Sequence, residues 1–148
     1  MRRPVLLLLL LTSACDALPR DPGDTSGRIA STKVFTVGFL EPDLGGRPQV
    51  TGLLKELERR TGAHAHTVPG GGEVLLTRLQ AGDLDLAIGR FSKDSPWKSD
   101  VALAPPLAAS GPEDDPIAIR AAARNGENRW IMTVERASRA VTGTQQQP

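Results

Sequence analysis

Ser95-Pro96-Trp97-Lys98 has the Ser-x-x-Lys spacing at which an amine can activate a hydroxyl. His64 and His66 stand two apart in a short extended segment, so both imidazoles can face one side, an arrangement that zinc sites use. Gly70-Gly71-Gly72, ahead of a helical pattern, could offer backbone amides to an anion. None of these sets is complete. Pro96 interrupts the first inside a loop, and the other signatures of penicillin-binding enzymes are absent. No third metal ligand accompanies the histidines, and no Lys-Ser/Thr pair follows the glycines as a phosphate-binding loop requires. A surface loop, two solvated imidazoles and a flexible turn account for them. The expectation is a protein that is not an enzyme and uses no cofactor or metal.

Any other site depends on the elements that position it. Lys33 to Phe39 is β-branched and aromatic between polar loops and reads as a strand. Val50, Leu53, Leu54 and Leu57 recur at i, i+3, i+4 and i+7, one face of a helix closing at Gly62. His64 to Val68 is a short second strand. Glu73 to Ala81 is a second helix with Leu75, Leu76 and Leu79 inward, and Leu84 to Ile88 is a third strand. After an apolar stretch from Val101 to Ala104, residues 108–116 read as loop and Ile117 to Ala121 as a last strand. A final helix is expected from near Asn125, with Glu127 in its first turn and Trp130, Val134, Ala137 and Val141 on one face. Strands alternating with helices imply right-handed crossovers. The expected fold class is α/β, a three-layer sandwich with a mainly parallel sheet, spanning 33–141. The polar tail 142–148 has no apolar period.

In an open sheet of that kind ligands sit beyond the C-terminal ends of the strands. That rule selects Glu41 and Asp43 after the first strand, the Gly70-Gly71-Gly72 turn, and Arg90, Phe91 and Ser92 after the third. Nucleic acid is excluded as a partner: the formal net charge is +1, the basic residues form no run, and there are three Phe, two Trp and no Tyr.

The first 14 residues carry two arginines, an apolar run from Val5 to Leu11 and small residues, the layout of a secretion signal and too short to cross a bilayer. Leu11-Thr12-Ser13-Ala14-Cys15 resembles a bacterial lipobox, with Thr12 where that pattern prefers Leu. The resemblance implies lipidation of Cys15, the one cysteine of the chain. Residues 15–32, rich in Pro, Gly, Asp and Ser, then read as a flexible tether. Without residues 1–14, which hold Arg2 and Arg3 and no acid, the net charge becomes −1.

The segments VFTVGFLEPD, LLKELERRTGAHAHTV and SPWKSDVALAPPL, and above all LLTRLQAGDLDLAIGRFS with its L-x-x-G-x-x-D turn before an apolar strand, resemble the type 2 periplasmic solute-binding proteins. The resemblance covers about residues 33–141 and one of that family's two lobes, with AASGPEDDP standing where the second lobe would leave and return. It implies a periplasmic-binding-protein-like lobe on the periplasmic side of a bacterial membrane, held there by a lipid anchor. Its role would be weak or accessory binding of a small polar, amino-acid-like solute for a transporter. An arginine after the third strand holds the ligand carboxylate in amino-acid-binding relatives. FSKDSPWKS lacks one there, leaving Lys98 as the nearest cation and Arg90 earlier in the loop. A single lobe also leaves part of a ligand in water, so millimolar affinity, about 4 kcal/mol, is expected. The other reading is an interaction module that keeps the fold without the pocket and docks on a membrane protein, with Arg120, Arg129 and Trp130 as candidate docking residues, of which Trp130 reads first as core.

Overall fold

In the computed structural model, which describes residues 19–145, the alternating and 3.6-residue patterns become β1 (Val34–Phe39), α2 (Pro48–Thr61), β2 (His64–Thr67), α3 (Gly72–Ala81) and β3 (Leu86–Ser92). They are preceded by α1 (Thr25–Thr32) and followed by β4 (Val101–Leu103), β5 (Ala108–Ser110), β6 (Ile117–Arg124) and α4 (Asn128–Gln145). The apolar leader and Cys15 lie outside the described residues.

The sheet runs β2-β1-β3-β6-β4, with β5 also on β6. β1 pairs in parallel with β2 and β3, and β6 is antiparallel to β3, β4 and β5. Five strands therefore point one way and β6 returns between them, the mainly parallel α/β sheet that was expected. β4 and β5 occupy one edge of β6 in succession, broken at Pro105-Pro106, where Ala104 and Leu107 still donate their amides to Ala121 and Ile119. Proline in an edge strand costs no ladder bond on the solvent side.

Side chains alternate across the sheet and build two apolar layers. Phe35, Val37, Leu86, Ile88, Ile119 and Ala121 pack under α1, α2 and α4, with Trp130 at the centre. Ala87, Phe91, Ala122 and Val101 pack under α3. The indole of Trp130 lies 5.8 Å from the ring of Phe35, and its Nε1 donates to the Asp85 carbonyl at 2.8 Å. Trp130 is thus a core residue and does not serve as a docking residue.

Five local expectations are corrected. Residues 25–32 of the expected tether form α1, whose Ile29 is buried in the core. Glu127 does not belong to the first turn of α4: its carboxylate accepts the amides of Gly23 at 2.6 Å and Thr25 at 3.0 Å, ahead of and at the start of α1. Asp21 reciprocates, accepting from Arg129 and Trp130 in the first turn of α4 and from Ser26 in α1. Residues 108–110, expected as loop, are β5, and Gly111 with φ 98° turns the chain toward β6. β3 continues through Ser92 because β6 supplies an antiparallel partner for every residue from Ala87 to Ser92. α4 also runs into the expected polar tail, to Gln145.

Candidate functional site

Strand β1 ends at Phe39, and Leu40 donates its amide to the Ile88 carbonyl, so the chain leaves the sheet at Glu41. Pro42–Gly46 forms a 3-10 turn that places Asp43 over the end of β3. There the guanidinium of Arg90 reaches Asp43 with both nitrogens, Nη1 to Oδ1 at 3.0 Å and Nη2 to Oδ2 at 2.6 Å. Arg47 adds a third hydrogen bond to Oδ2 at 3.0 Å. The hydrogen bonds from Arg90 and then Arg47 hold the Asp43 carboxyl far below the usual carboxylate range. Arg90 in turn is held more firmly protonated by Asp43.

Glu41 stands beside this pair. Its Oε2 is buried without a hydrogen-bond partner, and the nearest cation atom, Arg90 Nη1, lies 3.9 Å away. A buried carboxylate oxygen without a donor is costly. It leaves an acceptor at the rim of the sheet that a donor from outside could satisfy.

Gly71 approaches the same strand end. A Cβ there would meet the Leu40 carbonyl at 3.3 Å, and Gly72, at φ 58°, donates its amide to that carbonyl at 2.9 Å. The amide that could have helped hold an anion is therefore already used, and the glycines serve close packing of the turn against β1.

Ser92 and Lys98 fall elsewhere. Ser92 is the exposed last residue of β3, with no side-chain bond to Glu41, Asp43 or Arg90, and Lys98 sits exposed in the turn Pro96–Ser99, 3.7 Å from Asp94. Glu41, Asp43 and Arg90 therefore converge, Gly71 packs on the Leu40 carbonyl next to Glu41, and no hydrogen bond or ion pair joins Lys98 to them. Arg47 was missed, although its position four residues after Asp43 carried the signal. Arg90 was expected as a free cation in a loop. It is instead a strand residue with its charge engaged.

The remaining motifs assemble no site: Ser95 is buried while Lys98 is exposed. Lys98 donates its backbone amide to the Ser95 carbonyl, and no side-chain hydrogen bond joins the two residues. His64 is exposed and 3.8 Å from Glu58, and no group of three potential ligands could hold a metal among the described residues. Among the same residues no helix is long and apolar enough to cross a membrane.

The L-x-x-G-x-x-D turn has a structural role. Gly82, at φ 86°, ends α3, and Asp85 is buried at the start of β3. Its carboxylate accepts the Thr36 amide at 2.8 Å and the Thr36 hydroxyl at 3.0 Å, and forms an ion pair with Arg28 of α1. The turn fastens β3 to β1 and α1.

Order of strands, the single reversed strand and helices on both faces match the fold of one lobe of a periplasmic-binding-protein structure. Solved structures match it accordingly. The arginine-bound form of domain 1 from TmArgBP superposes with a TM-score of 0.64 at 21% identity, over 76% of this chain and 97% of that one. The amino acid ABC transporter substrate-binding protein AbpA from Streptococcus pneumoniae, bound to L-arginine, gives 0.67 at 10% identity, over 81% and 93%. An ancestral cationic amino acid solute-binding protein gives 0.66 at 12% identity, over 81% and 94%, and is described as a precursor of cyclohexadienyl dehydratase. No family model matches the chain, and no curated protein matches it in sequence.

Proposed function

We propose that this chain is a single-lobe binding module for a small amino-acid-like solute, with a cationic group of the solute held at Glu41. The observation that carries it is the buried Oε2 of Glu41 at the C-terminal rim of the sheet, which accepts no hydrogen bond and has the Arg90 guanidinium only at 3.9 Å. Asp43 cannot serve in its place, because Arg90 and Arg47 already occupy both its oxygens. The arginine-bound form of an isolated domain 1 supports a single lobe as a binder in its own right. Gly71 shapes the wall, while Ser92 and Lys98 remain candidates for the far end of the solute.

A signal peptide over 1–14 and lipidation at Cys15 would tether the module to the periplasmic side of a bacterial membrane, where it would hand solute to a transporter. Incorporation of labelled palmitate that disappears in Cys15→Ser tests the anchor.

Thermal-shift titration with arginine, lysine and glutamate tests the site. Saturable stabilisation by the two basic amino acids, reduced at least tenfold in Glu41→Gln, is the expected result. Stabilisation that Glu41→Gln leaves intact would remove the site, and silence with all three would remove the function.

The second reading, a docking module for a membrane protein, is favoured by Val74 and Ile117. They are 67% and 45% exposed, at the start of α3 and of β6, on the side of the sheet where the parallel strands end. Association with a transporter, lost in Val74→Asp with the solute response absent, would select it.

A further inference from the structure

Arg90 and Phe91 are successive residues of β3 and point to opposite faces of the sheet. Behind Phe91, on the face that carries α3, lies a second cleft of about 340 Å³. Phe91, Leu103, Pro106 and Pro116 supply its apolar walls, and Lys93 and Arg120 its charge. No residue of α3 lines it.

Its floor is made of small residues in register. Ala118 faces Phe91 on one side and Ala109 on the other, and Arg120 faces Gly89. Arg120 therefore rises from the middle of β6 with alanine on either side of it at 118 and 122. It is half-buried, and among the described residues its side chain makes one hydrogen bond, from Nη1 to the Ala104 carbonyl at 3.0 Å. A guanidinium carries five N–H donors in a planar fork, so most of its donor capacity is unused. Among the described residues no carboxylate pairs with Arg120 or Lys93, whereas the other half-buried rim arginine, Arg90, is doubly bound to Asp43. Glu113, Asp114 and Asp115 of the adjoining hairpin are exposed and outside the lining.

A half-buried arginine without a carboxylate, an exposed lysine lining the same cleft and apolar walls form a receptor for the missing anion. The geometry points to a second binding site in this cleft, for a small organic carboxylate whose short apolar chain packs on Phe91 and Leu103 while Arg120 grips the carboxylate. The volume lies near the lower end for small-molecule sites, which sets the size at a handful of heavy atoms. The site is separate from Glu41, since it uses the opposite face of β3.

Amide chemical shifts of the full-length protein, titrated with butyrate against chloride at matched ionic strength, test this. Saturable shifts confined to residues around Gly89, Ser92 and Ala109 are expected with butyrate. Arg120→Gln should weaken the response at least tenfold and Lys93→Gln several-fold, while Glu41→Gln leaves it unchanged. Because Arg120 also holds the edge strand, Ala109→Leu provides a second variant: it fills the cleft from the exposed edge, keeps both cations, and should abolish the shifts. Absence of saturation, an equal response in Ala109→Leu, or inorganic phosphate binding as well as butyrate would overturn the proposal.

Discussion

The carboxylate of Glu127 receives the backbone amides of Gly23 and Thr25, more than a hundred residues earlier in the chain. Asp21 returns the contact by accepting from Arg129 and Trp130. Each of two segments thus caps the helix that follows the other, and α1 is locked beside α4. Replacing Glu127 with Ala leaves two amides without their acceptor and should cost about 1–3 kcal/mol in chemical denaturation. An unchanged midpoint would show that water replaces the clasp.

Lys33 ends α1 at φ 60°, a left-handed conformation that a side chain disfavours. Glycine adopts it without that penalty. Lys33→Gly should therefore stabilise the protein by about 0.5–1 kcal/mol, a rise of a few degrees in Tm. A fall in Tm would mean that the aliphatic stem of Lys33 contributes more by packing than the backbone loses by strain.

Asp85 sits at the convergence of α1, β1 and β3. Asp85→Ala removes an acceptor bound to Thr36 and to Arg28 and should destabilise by about 1.5–3 kcal/mol. Arg28→Ala should cost less, because the arginine side chain is 44% exposed and water can take its place. Equal losses in the two variants would shift the weight from the Thr36 hydrogen bonds to the ion pair.

The Arg90–Asp43 pair gives a pH signature. The Asp43 carboxyl is depressed in the folded protein, so folding favours its ionised form and the contribution is present above the unfolded carboxyl range, about pH 4. It is lost as pH falls below that. The Tm difference between the native protein and Asp43→Asn should be present at pH 7, shrink below pH 4 and diminish in high salt. A difference that grows on acidification would contradict the assignment.

The order of strands and helices, the inward faces of α2, α3 and α4, and the closing glycines at 62 and 82 were legible in the sequence, because periodicity and chain reversal are local properties. So was the rim at which Glu41 and Asp43 emerge, since it follows from strand direction alone. α1 was not legible: it has eight residues and one buried large apolar side chain, and it is set by caps from Asp21 and Glu127. The engagement of Arg90 with Asp43 and the freedom of Arg120 were equally hidden. Both are arginines on neighbouring antiparallel strands, and composition treats them alike. Which one meets a carboxylate depends on the face of the sheet each side chain takes and on what the far-off loops bring to that face, and only the packed chain decides that.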